Sequence, residues 1–236
     1  MIITKKKSFA KGLVMTIVFA AILVAMFLPL FGGENAFAAS DKLFNSISKG
    51  STNYFPRLRE GAKPHQSKSI DAKLEIADKG YIENAHKVLT VSGLKAGQVD
   101  GGVSLEGTMG QLIEAVLVDS EMMFFNKGEE LSNKYGGIGE KEVLFTWWKI
   151  FEGVEKALND EKRFIEAAYL KEVMSRGISV GYNFYGIEPE DAMSKAGILS
   201  FALIFYILYT LWWGFAIFFL FEGFGLDLTG GHKEEA

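Results

Sequence analysis

Two stretches of this chain carry no charged residue, and they settle most of what it can fold into. Residues 12–33 run 22 positions and residues 196–221 run 26 without an Asp, Glu, Lys or Arg. As a helix the second would be about 39 Å long, more than the ~30 Å hydrocarbon core of a bilayer. No water is present there to satisfy backbone N–H and C=O groups, so a single crossing segment must be a helix. Between the two lies an ordinarily charged region. The chain is therefore expected to be a membrane protein with one sizeable extramembrane domain.

The first stretch follows Lys5, Lys6, Lys7 and Lys11 and precedes Pro29 and Gly32-Gly33. Ala36-Phe37-Ala38 then puts small residues at the −3 and −1 positions of a cleavage site before Ala39. This is the three-part layout of a secretory signal peptide. The apolar run exceeds the usual signal length, so an uncleaved signal anchor is the alternative. Under either reading the residues beyond about 39 leave the cytoplasm. The expected localisation is a bacterial inner (cytoplasmic) membrane, single-pass, with a periplasmic or extracellular domain and a cytoplasmic C-terminus.

The fold class expected is mainly α, with a bundle-like extracytoplasmic domain, an irregular N-terminal arm and one C-terminal transmembrane helix. The boundaries are signal peptide or anchor 1–38, arm 39–68, helical domain 69–188, spanning helix 189–222 and tail 223–236. The arm is read as irregular because of Pro56, Pro64 and scattered Ser and Gly, with a short helical turn near 41–48. Ile70, Leu74, Ala77 and Tyr81 recur at helical spacing, although the stretch from Ile70 also alternates as a strand would. A helix over 81–92 stops at Gly93, and the glycine-rich residues 93–110 read as a connection. Amphipathic helices follow over 108–126, 141–158 and 161–176, the last closed by Gly177. On the first of these Asp119 is placed off the apolar face. Residues 178–187 read as a strand or loop, and Glu188-Pro189-Glu190-Asp191 as the start of the last helix.

The composition excludes several functions. There is no cysteine, so disulfides, thiolate metal sites and Cys nucleophiles are absent. A net charge of -4 lacks the basic footprint of a nucleic-acid binder. Six glycines in 93–110 include no phosphate-binding signature. Glu83 and His86 have the E-x-x-H spacing of carboxylate-bridged metal bundles, but such sites need a second copy and further glutamates. His65 falls in a proline-containing loop and His232 in the tail.

The aromatic content of the second apolar stretch is the residual oddity, at ten aromatics in 26 residues. A solitary anchor needs only aliphatic side chains with aromatics at its borders. Tyr206, Tyr209, Thr210, Trp212, Trp213 and Gly214 are therefore candidates for packing against another helix. Trp147, Trp148 and Tyr169 are candidates for a ligand or docking surface in the domain. The function expected is a non-catalytic, membrane-anchored subunit of a larger membrane complex, of respiratory or electron-transfer type. Its partners would be lipid and other integral subunits, with no cofactor and no nucleic acid. The alternatives are an extracytoplasmic ligand-binding or sensory module and, third, a metal enzyme using Glu83 and His86.

Overall fold

The computed structural model describes residues 3–76 and 78–226 and is mainly helical. The chain divides into two compact units, Met1–Gly50 with Pro189–Ala236, and Ser51–Glu188. Ala77 and His232 lie outside the described residues.

The first unit holds both apolar helices, α1 (Lys6–Phe27) and α10 (Ala196–Gly223), each long and apolar enough to cross a membrane. Helix α1 stops because Leu28 precedes Pro29 and is driven extended, at φ −79° and ψ 151°. Gly32 and Gly33, both at positive φ, turn the chain, and Phe31 pairs with Glu34 across the turn. Helix α2 (Ala36–Ser51) begins at once, its first turn capped by the Asn35 side chain, which accepts from Ala38 N at 2.9 Å. Ala36-Phe37-Ala38 is thus the opening turn of a helix.

Most of the expected irregular arm is helical. After α2 comes α3 (Phe55–Ala62), with Pro56 in its first turn, where its missing N–H is no loss, and then a 3-10 turn over Lys63–His65 containing Pro64. Helix α10, in contrast, begins at Ala196, later than the Pro189 start expected for it. Asp191 accepts from Ser194 N, and Ser194 Oγ donates back to Asp191 O. These local bonds offer the backbone an alternative to a helical turn.

The second unit is a sheet with helices packed on it, so it is more than a bundle. Strands β1 (Ser69–Glu75), β2 (Lys95–Val99) and β3 (Gly102–Thr108) form an antiparallel sheet in the order β1-β3-β2. In β1, Ile70, Ala72 and Leu74 are buried and their neighbours exposed, so alternation prevails over the helical spacing. Residues 93–110 form a hairpin and its flanks, not a mere connection. Asp100-Gly101 is a two-residue turn in which Gly101, at φ +75°, takes the left-handed conformation that glycine permits. Gly102 lies so close to β1 that a Cβ would fall 1.9 Å from Leu74 O.

Helices α4 (Lys79–Val91), α5 (Met109–Phe124) and α7 (Glu140–Asp160) follow the expected positions closely, whereas a further short helix, α6 (Gly128–Lys134), lies where none was expected. Helix α4 ends where expected, with Gly93 at φ +82°. A reciprocal capping box between Thr108 and Gln111 starts α5. Helix α8 (Phe164–Val173) does not stop at Gly177. It passes through a π-helical turn, Met174–Ile178, into α9 (Ser179–Phe184), so the expected strand or loop over 178–187 is largely helix. Gly177 fits there because Leu117 packs 3.1 Å from where its Cβ would stand. One continuous core joins sheet and helices, including Leu74, Leu105, Ile113, Leu117, Trp147 and Phe151.

Candidate functional site

Two places gather polar or aromatic groups in arrangements that need an account. The first is the α1–α10 pair. The helices run antiparallel, meeting at Phe19 with Tyr209, Met15 with Trp212 and Phe9 with Gly223. Glycine on each helix makes the approach possible at the end where α1 begins and α10 finishes. A Cβ on Gly12 would stand 2.6 Å from Leu220 N, and one on Gly223 2.6 Å from Phe9 Cβ. Phe19 stacks with Tyr209 at 4.1 Å and with Trp213 at 4.5 Å. Tyr209 Oη donates to Phe19 O and Trp212 Nε1 to Met15 O, each at 2.9 Å. Both polar tips thereby find acceptors on the partner helix. At the open end, Lys5 pairs with Glu222 at 3.1 Å and Lys11 lies over the Phe219 ring.

Of the six residues singled out for packing, Tyr209, Trp212 and Trp213 face α1, the chain's own first helix. Tyr206, Thr210 and Gly214 face away. Thr210 Oγ1 donates within its own helix, to Tyr206 O and Ile207 O. A Cβ on Gly214 would meet nothing within 4 Å. Tyr206 is 63% exposed, and its hydroxyl has no hydrogen bond among the described residues.

The second place is a buried polar knot in the Ser51–Glu188 unit. Asp119 is fully buried in the core. Its Oδ2 accepts from Trp147 Nε1 at 2.7 Å and from the Tyr135 hydroxyl, and its Oδ1 from Lys134 Nζ at 2.7 Å. Tyr135 Oη also bonds Ser92 Oγ at 2.8 Å. Burial first, and the Asp119 charge second, raise the Tyr135 phenol well above its ordinary value. The knot ties α5, α6 and α7 together around a carboxylate buried in the core, so it reads as structural. Placing Asp119 off the apolar face is corrected here. It lies at i+3 from Val116 and i−4 from Met123, inside the apolar stripe, and its three donors make the burial tolerable.

The ligand candidates do not converge. Trp147 is wholly in the core. Trp148, its neighbour on α7, donates to Glu152 at 2.7 Å on the outer side. Tyr169 on α8 stacks on His65 and donates to Leu58 O, and burial, with a smaller push from Glu172, lifts its phenol to about 12. An open groove of about 650 Å3 is lined by Pro56, Arg59, Gln66, Gln111 and Glu114 instead, and another of about 990 Å3 by Glu75, Lys79, Ile82, Glu83 and Gln98. In the first, Arg59 bridges Glu114 and Glu121. Glu83 is exposed and His86 half-buried on α4, and no trio of His, Asp or Glu among the described residues stands close enough to hold a metal. No known protein family, curated protein or solved structure matches this chain.

Proposed function

We propose that the chain is a non-catalytic subunit of a larger integral membrane complex. In this reading α1 is retained as a signal anchor, and α1 and α10 cross the membrane together as a hairpin. The Ser51–Glu188 unit then lies on the exported side and both termini in the cytoplasm. Retention is supported by the fit of α1 against α10 through Gly12, Phe19 and Gly223, and by the helical state of the segment a signal peptidase would need extended.

The observation that carries the subunit reading is Tyr206. It sits three positions from Tyr209, near the middle of α10, exposed and with an unpaired hydroxyl. An unsatisfied hydroxyl in hydrocarbon is costly, and another helix bringing an acceptor to it removes that cost. Thr210 and Gly214 on the same side leave room for close approach. Nothing among the described residues selects electron transfer over any other membrane assembly.

Affinity purification of the full chain from native membranes in mild detergent tests this. Integral membrane proteins should be recovered with it in fixed stoichiometry, and a bulky Gly214→Leu substitution should reduce their recovery. A chain that purifies alone as a monomer contradicts the proposal.

A further inference from the structure

Helix α2 is amphipathic, and part of its apolar face is left uncovered. At 100° per residue, Ala36, Leu43, Phe44 and Ile47 share one face, with Phe37 at its edge, and Asp41, Lys42, Asn45 and Lys49 share the other. In a soluble protein the first face would be buried and the second wet. Here Phe37 is 47% and Phe44 55% exposed, with Ala36, Leu43 and Ile47 half-buried, while on the other face Asp41 and Lys42 are exposed and Lys49 is buried. Ser46 O accepts from Glu190 N, which ties the helix to the stretch leading into α10. The outward apolar face also continues from a membrane helix. Phe27, in the last turn of α1, packs on Phe37 at 4.9 Å, and Leu28, Leu30 and Phe31 in the connecting turn are exposed.

We infer that α2 is an interfacial helix whose Phe37–Phe44 face lies in the headgroup–acyl boundary of the bilayer that α1 has just crossed. Amphipathic helices bury their apolar face to about 5–10 Å at that boundary, and aromatic rings suit that depth. The 16 residues of α2 give about 24 Å of such contact. A helix lying there directs the chain along the membrane surface rather than away from it. The Gly32-Gly33 turn makes the change of direction possible, since both residues occupy the left-handed region. The inference rests on the reading that α1 and α10 span the membrane.

The chain has no cysteine, so single cysteines carry spin labels without background. The full chain is reconstituted in phosphatidylcholine–phosphatidylglycerol vesicles as Phe37→Cys, Phe44→Cys, Leu208→Cys on the outer side of α10, and Lys73→Cys on exposed β1. Collision with dissolved oxygen and with a water-soluble nickel chelate is read at each site. Labels at 37 and 44 should be open to oxygen and lose nickel access relative to 73, as the label at 208 does. If 37 and 44 meet nickel as freely as 73 while 208 stays shielded, the interfacial helix is refuted and the spans stand. If 37 and 44 are shut off from both reagents, a protein surface covers α2 and the inference is also refuted. If 208 itself meets nickel freely, the spanning reading fails and takes the inference with it.

Discussion

Asp119 shows how one side chain fixes three helices. Its carboxylate is reached by Trp147, Tyr135 and Lys134, all aimed inward. Asp119→Ala leaves those donors facing an apolar hole, and breaking a buried charged network of this kind costs about 3 kcal/mol or more. The thermal midpoint of the detergent-solubilised chain should fall accordingly. Tyr135 gives a pH signature of the same knot. Its folded pKa is raised above the ordinary 10.0, so its stabilising contribution is complete below pH 10 and is lost as pH rises beyond it. Urea midpoints of the wild type should drop between pH 9 and pH 11, and Tyr135→Phe should flatten that drop while lowering stability at pH 7. Ser120, buried with its hydroxyl unpaired among the described residues, behaves oppositely. Ser120→Ala should be neutral or stabilising by up to about 1 kcal/mol, since no bond is lost and no polar atom is left dry. Residue identity alone displayed little of this. The spacing of Asp119 from Val116 and Met123 puts it in the apolar stripe, but its charge argued for the outer face, and the donors that make burial tolerable, from Lys134, Tyr135 and Trp147, are brought in by tertiary packing.

At the scale of elements, the long amphipathic helices were legible because periodicity and caps agreed. Thr108 and Gln111 form the capping box that opens α5. Thr108→Ala should lower stability by about 1 kcal/mol, measured by chemical denaturation. Elements that depend on partners were harder to read. In β1 two periodicities overlap over Ile70–Leu74, and only pairing with β3 decides between them. The β2–β3 hairpin was masked by glycine content, although Asp100-Gly101 is a strong local hairpin signal. The π-helical turn at Met174–Ile178 has no comparable signature, because it arises from fitting Gly177 against Leu117 and Gly181 against the Ser120 backbone. Pairing of α1 with α10 likewise depends on single glycines. With the chain divided between Gly50 and Ser51 and both pieces co-expressed, the N-terminal piece should co-purify with the rest. Gly12→Leu should reduce that recovery, because its side chain has no room beside Leu220.

On the scale of the whole molecule, the apolar stretches were readable from length and charge alone, and both form helices of the required length. What composition did not reveal is that they suit each other. A cleaved signal peptide needs no complementary surface, whereas α1 offers Gly12 and Phe19 to Leu220, Tyr209 and Trp213 on α10. The aromatic excess of α10 is thereby accounted for on one side, and Tyr206, Thr210 and Gly214 remain exposed on the other. This arrangement requires the first helix to survive export. The intact mass of the protein isolated from native membranes tests that requirement most directly. The account predicts the mass of the full 26.1 kDa chain. A mass short by residues 1–38, with Ala39 at the new N-terminus, would contradict it.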